Sequence, residues 1–268
     1  MGSANTNGAN SECRTVGRAV CARLAIGILL GLTLCNSALA ESSNRAGKAA
    51  REIPRFEISS GVDATSHSWF GYASAVWAPV SGLDRSGLRL RAMAGYGRYD
   101  YDSVLAVGGG LVTTEFQGDV TLADIMAGYA MDLGALWLKG YIGVAYAGHN
   151  LTPDDPQNDI KGAKVGVKGQ VEAWLEFTER VWLSADASWS SPFGDYWTQL
   201  RVGNHFGSLI SAGPEIALLG NREFSAERVG AFIRVHFGTS ELTISGGLSG
   251  NYEESDSIYG SAGLYHRF

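Results

Sequence analysis

The sequence predicts an all-β fold, a transmembrane antiparallel β-barrel of about twelve strands. Three observations carry this reading: long stretches of period-two alternation, a high glycine content, and connections that are short and long by turns. The alternation is plainest from Ala163 to Ser190. Ala163, Val165, Val167, Val171, Ala173, Leu175 and Phe177 share one face, and Lys164, Lys168, Gln170, Glu172, Trp174 and Glu176 share the other. After Thr178-Glu179-Arg180 the pattern resumes, with Val181, Leu183, Ala185, Ala187 and Trp189 opposite Trp182, Ser184, Asp186, Ser188 and Ser190. A strand of a water-soluble sandwich rarely runs for about fifteen residues with charges along one whole face. A barrel in lipid needs that pattern, apolar groups toward hydrocarbon and polar groups toward the lumen.

Glycine contributes 36 of the 268 residues, roughly twice the average usage of about 7%. With only six prolines beside it, this is no low-complexity signal. Glycine lets a curved sheet bend and lets bulky neighbours fit inside a narrow barrel.

Residues 1–40 read as a signal peptide rather than as part of the fold. Arg14, Arg18 and Arg23 precede an apolar run from Leu24 to Leu34, and Ala38-Leu39-Ala40 supplies a cleavage site before Glu41. The run is too short to span a membrane as a helix. A lipoprotein reading at Leu32-Thr33-Leu34-Cys35 is disfavoured because Leu34 is large for the position before the cysteine. All three cysteines lie in this segment, so cleavage leaves no thiol for a disulfide, zinc or nucleophilic catalysis. It also leaves 18 basic against 26 acidic groups, a net charge of −8. Nucleic acid is an unsuitable partner for such a surface; lipid of the outer membrane is the expected one.

Residues 41–54 read as a flexible periplasmic lead-in, and residues 55–268 as the barrel. Arg55 to Ala64 alternates Phe56, Ile58 and Val62 with Arg55, Glu57 and Asp63, and Ser68 to Val80 sets Phe70, Tyr72 and Val76 against Trp69 and Trp77. Gly87 to Tyr99 opposes Leu88, Leu90, Ala92, Ala94 and Tyr96 to Arg89, Arg91 and Tyr99. Turn residues divide the remainder near 119–132, 135–149, 163–177, 181–190, 195–202, 208–218, 226–238, 241–249 and 257–268. The connections after even strands are then short. Those after odd strands include the longer, acidic and glycine-rich 100–118, 150–162, 219–225 and 250–256, whereas 65–67 and 191–194 are short. Short periplasmic turns and long external loops are the habit of outer-membrane barrels. The last strand sets Ile258, Ala262, Leu264 and Phe268 on one face and ends on an aromatic, as the insertion signal of such barrels does, although His266 stands where an apolar residue is commoner.

Catalytic and metal signatures are weak. His67, His149, His205, His236 and His266 show no metal-ligand spacing, and no H-E-x-x-H, G-x-S-x-G or P-loop pattern occurs. No catalysis, cofactor or metal is expected. A barrel hydrolase acting on lipid or polysaccharide remains the rival, and it would need His149 or His236 to meet a serine and an acid in space. Asp154, Asp155, Asn158 and Asp159 could offer oxygens to Ca²⁺, but the spacing fits a solvated turn held by Pro153 and Pro156 better. A general porin is the third reading.

The inward face carries the functional expectation. Aromatic rings at Tyr99, Trp137, Tyr141, Trp174, Trp182 and Trp197 are the candidates for contacting a glucan, because aromatic faces stack on sugar rings. Charges at Arg89, Arg91, Lys168, Glu172, Glu176, Arg201 and Arg234 line the same face, with Lys139, Lys164, Asp186, Glu215, Arg228, Arg267, Phe232 and Tyr265. Comparable numbers of both signs suit a lumen filled by salt bridges better than an open pore.

One resemblance covers nearly all of the expected mature chain. Gly87-Leu88-Arg89-Leu90-Arg91, YGRYDY at 96–101, Ala127-Gly128-Tyr129, LKGYIGVAY at 138–146 and HNLTPDDPQNDIKGAKVGVKG at 149–169 come first. Glu172-Ala173-Trp174, Gly213-Pro214-Glu215, Gly220-Asn221, Arg228-Val229-Gly230-Ala231 and the closing Tyr259-Gly260 to Arg267-Phe268 follow. In that order they resemble the cellulose biosynthesis protein BcsS family of Gram-negative bacteria. The resemblance implies a role in export or surface retention of the glucan at the outer membrane, with cellulose and other cellulose-synthase components as partners. It brings no catalytic residues.

Overall fold

The computed structural model describes residues 53–107, 110–250 and 257–268; the expected signal peptide and most of the expected lead-in lie outside the described residues. Twelve strands follow one another: β1 (Phe56–Ala64), β2 (Ser68–Trp77), β3 (Gly87–Val107), β4 (Gly110–Asp132), β5 (Leu136–Thr152), β6 (Gly162–Glu176), β7 (Val181–Ser190), β8 (Tyr196–Phe206), β9 (Ile210–Gly220), β10 (Ser225–Phe237), β11 (Ser240–Gly250) and β12 (Ser257–Arg267). Each pairs antiparallel with its chain neighbours, and β1 pairs with β12 (Glu57↔Arg267 to Ala64↔Gly260), so the barrel is closed. Closure leaves no open sheet edge around the wall, which lipid demands.

The period-two pattern sorts side chains as the sequence reading expects. Ile125, Ile142, Val165, Val229 and Ile258 stand outward and exposed, Ile142 at 71%, on a wall meant for hydrocarbon. Two rings of outward aromatics bound this apolar band. Phe56, Trp77, Tyr129, Phe177, Phe206, Phe237 and Phe268 circle the end that carries Arg55 and the last residue; Trp69, Tyr96, Tyr146, Trp189 and Phe224 circle the opposite, loop end. On β2 the two ring members, Trp69 and Trp77, are eight residues apart. At about 3.3 Å per residue and a tilt of roughly 40° this spans about 20 Å, near the height of a membrane band between aromatic girdles.

Glycine on the inner wall makes room for rings. A Cβ built on Gly203 would lie 2.2 Å from the Trp182 ring, on Gly95 2.4 Å from Phe70, on Gly118 2.2 Å from Tyr99, and on Gly128 2.5 Å from Tyr141. A ring flattened against a neighbouring glycine lets a narrow lumen hold many aromatics.

One expectation fails at the loop end. The stretch 100–118 is no loop: β3 and β4 pair residue by residue up to Val107↔Gly110. Their neighbours stop earlier, β2 at Ser68↔Tyr99 and β5 at Gln117↔Thr152. The hairpin therefore rises past the barrel as a two-stranded ribbon. Past the Tyr101–Phe116 stack most of its described residues are exposed, so Asp, Thr and Gly serve as well as an apolar row.

Candidate functional site in the lumen

At the terminal end, side chains from opposite walls meet. Glu57 of β1 accepts from Tyr265 Oη of β12 at 2.7 Å and lies 3.6 Å from Lys139 Nζ of β5. Lys139 also donates to Glu172 of β6 at 3.1 Å. Trp174 of β6 stacks on Trp182 of β7 with centroids 4.2 Å apart, and Trp182 reaches Phe232 of β10 at 5.4 Å. The Arg234 guanidinium of β10 sits 5.0 Å from the Trp182 centroid and 5.6 Å from that of Trp174. β1, β5, β6, β7, β10 and β12 are thus bridged across the lumen by a floor of charged and aromatic groups.

The β2–β3 turn closes in beneath that floor. Val76, Ala78 and Leu83 form a buried apolar cluster, and Arg89 donates to the carbonyls of Leu83, Arg85 and Leu88 at 3.1, 2.6 and 2.9 Å. Arg89 therefore ties down a turn instead of lining a passage.

A belt of ion pairs lies above the floor. Asp124 of β4, its side chain 1% exposed, is held by Arg91 of β3 at 3.1 Å and by Lys168 of β6 at 2.6 Å, the latter reaching past β5. Glu215 of β9 accepts from Arg201 Nε at 2.7 Å, Ser245 Oγ at 3.1 Å and Tyr259 Oη at 2.7 Å. Arg228 grips Asp63 with two donors at 2.7 and 2.9 Å. These three networks use four cations and three carboxylates, close to balance. The belt has little net charge.

A second aromatic cluster occupies the loop end. Tyr99 and Tyr101 stack, Tyr101 stacks on Phe116, and His149 meets Phe193 edge-on at 5.1 Å. The short β7–β8 connection folds inward to place Phe193 against Ala147 and Ile160. The β5–β6 connection is pinned by Tyr101, which donates to Asp155 at 2.9 Å and accepts from Asn158 at 2.8 Å. Asp155 also accepts from the Gln157 amide at 2.9 Å, and Lys161 donates to Asp154 at 3.3 Å. Asp155 is thus a buried acceptor that ties this connection to β3, at 2% exposure, while Asp154 is held at the surface by Lys161.

The six aromatics expected to meet a glucan do not form one track. Tyr99 and Trp197 are at the loop end; Trp137, Tyr141, Trp174 and Trp182 are at or near the floor. Trp182 is 1% exposed and Tyr141 is also buried, so both shape the wall, while Trp197, at 36%, is the most open. Of the seven charges, Arg91, Lys168 and Arg201 belong to the belt, Glu172 and Arg234 to the floor, and Arg89 to the turn. Glu176, at the rim, faces the Trp174 indole nitrogen at 3.4 Å.

The two histidines differ in their partners. His149 Nδ1 meets Tyr99 Oη at 3.1 Å, with no serine–acid pair at hand. His236 does meet both: its Nε2 lies 2.8 Å from Ser211 Oγ and its Nδ1 3.3 Å from Glu241 Oε1. His205 Nδ1 meets the same Ser211 hydroxyl at 2.9 Å. The signal lay in the turns, since inward residues flanking a tight turn face each other across the hairpin. His205↔Ser211 and His236↔Glu241 are such pairs.

A closed, girdled twelve-strand barrel with a polar lumen defines a protein of the outer-membrane barrel class. Solved structures agree in fold. The transport unit of the autotransporter AIDA-I from Escherichia coli matches with a TM-score of 0.50 at 11% identity, over 89% of this chain and 98% of that one. The translocator domain of NalP from Neisseria meningitidis (TM-score 0.46, 13% identity, 92% and 98%) and a KdgM porin (0.43, 6%, 79% and 99%) are also similar. No curated protein sequence matches the chain. The family model described as cellulose biosynthesis protein BcsS matches residues 58–268. The chain belongs to that family.

Proposed function

We propose that the barrel resides in the outer membrane, its terminal end toward the periplasm, and acts in surface retention or export of cellulose beside the other components of cellulose synthesis. Family membership supplies the pathway. The observation that carries the reading further is the order of layers along the lumen: aromatics, a belt of nearly balanced charge, then aromatics again. Rings stack on sugar faces and paired charges offer hydrogen bonds to hydroxyls without a strong field, which suits an uncharged, hydroxyl-rich chain.

The cross-lumen floor favours retention at the external mouth, where Trp197 is open and Tyr99 stacks with Tyr101. Export requires the Glu57–Lys139 contact and the Arg234–tryptophan stack to part. The test is dye-detected cellulose on cells and in supernatant, for a deletion strain and for strains carrying Tyr99→Ala with Trp197→Ala, or Trp137→Ala with Trp174→Ala. Retention predicts unchanged total cellulose that shifts to the supernatant in the deletion and in the first pair. Export predicts less extracellular cellulose in the deletion and in the second pair. Unchanged amount and location in the deletion would overturn both.

A further inference from the structure

The floor holds a constellation that glucan handling does not use. Ser211 is the second residue of β9, His236 the last but one of β10 and Glu241 the second of β11, all three on the inner wall beside the turns of the terminal end. Ser211 Oγ to His236 Nε2 is 2.8 Å and His236 Nδ1 to Glu241 Oε1 is 3.3 Å. A hydroxyl, an imidazole on its proton, and a carboxylate behind the other ring nitrogen are the parts of an activated serine, recognised by roles and geometry instead of by sequence motif. Two cross-strand pairs and a tight turn hold them in place, a more rigid mount than a loop.

We propose that Ser211 is a nucleophile, with His236 as its general base and Glu241 orienting that base, and that the site hydrolyses carboxylic esters reaching the periplasmic mouth. In the first step Ser211 Oγ bonds to the ester carbonyl carbon and its proton passes to His236 Nε2. The carbon–oxygen bond to the alcohol breaks, and His236 returns the proton to the leaving alkoxide. Water then attacks the acyl-serine ester, giving up a proton to His236, and the carboxylic acid leaves as Ser211 recovers its hydrogen. Arg234 lies opposite Ser211 in register, with Nε on Thr243 Oγ1 at 3.1 Å and Nη1 3.5 Å from Glu241 Oε2. It is the guanidinium that the register sets beside Ser211. The Trp174–Trp182 stack beneath Arg234 and 6.3 Å from His205 favours esters whose alcohol is a sugar hydroxyl.

Ser211 is 0% exposed, and its hydroxyl also meets His205 Nδ1 at 2.9 Å, the two imidazoles lying side by side with centroids 5.7 Å apart. The two histidines thus have opposite parts. His236, partly open beside Glu241, activates; His205 is the cover that must swing aside. This asymmetry separates a working nucleophile from a serine that merely satisfies two rings.

The experiment uses the full barrel in outer-membrane vesicles, with heat-dependent gel mobility as the folding control. A fluorophosphonate probe is applied, the labelled residue is located by mass spectrometry, and 4-nitrophenyl acetate turnover is followed. The expected result is labelling at Ser211, lost in Ser211→Ala. His236→Gln should slow it by about 100-fold or more, the scale of a lost general base, and His205→Ala should accelerate it several-fold. A folded wild type that takes no label at Ser211, or a folded His236→Gln that labels as fast as wild type, overturns the proposal. The outcome is independent of where cellulose accumulates.

Discussion

Glu57 on β1 and Lys139 on β5 stand four strands apart in the wall, yet Oε1 and Nζ lie 3.6 Å from each other across the lumen. Lys139 is shared with Glu172 at 3.1 Å. Replacing it by methionine keeps the stem and removes the charge, leaving two carboxylates facing each other without their cation. Single-channel recordings in planar bilayers should show larger ion conductance for Lys139→Met than for wild type. Equal conductance would mean that the aromatic stack alone seals the floor.

Asp124 is the keystone of the belt, buried and gripped by Arg91 and Lys168 at once. Asp124→Ala strands two cations, and breaking a buried pair from one side costs about 3–5 kcal/mol. Urea unfolding in lipid vesicles should show that loss, with a smaller one for Arg91→Ala, which leaves Lys168 on the carboxylate.

Glycines of the wall divide by what a side chain would meet. A Cβ on Gly213 would lie 1.8 Å from the Val202 carbonyl oxygen, and on Gly128 2.2 Å from that of Gly140, whereas Gly140 and Gly169 face open space on the lipid side. Gly213→Ala and Gly128→Ala should lower the folded yield in vesicles. Gly140→Ala and Gly169→Ala should fold as well as wild type.

The β5–β6 connection hangs on Tyr101. Tyr101→Phe removes the donor to Asp155 and the acceptor for Asn158, each hydrogen bond worth about 1 kcal/mol. Trypsin added to intact cells should then cut after Lys161 faster than in wild type, which would also place this end outside the cell.

The alternation was legible because β3 to β12 keep one parity from end to end, so Leu88 predicts the side on which Tyr96 falls and Trp182 that of Ser190. The ribbon was not legible, since Asp100, Asp102, Thr113 and Thr114 obey no lipid and read as loop. Parity also could not separate lining from burial: Tyr141 and Trp182 point inward yet lie behind their neighbours, a consequence of the cross-lumen contacts. Ser211, His236 and Glu241 needed the register of two hairpins as well as their faces, and only turn positions carry that register.

Above Tyr101 on β3 and below Gln117 on β4, the ribbon's outer backbone amides and carbonyls have no third strand beside them among the described residues. Any extended peptide, a second ribbon included, could add itself there. Asp102 and Glu115, directly paired on one face, make that surface repel its own kind. Ribbons of neighbouring barrels in one membrane are thereby kept from knitting together.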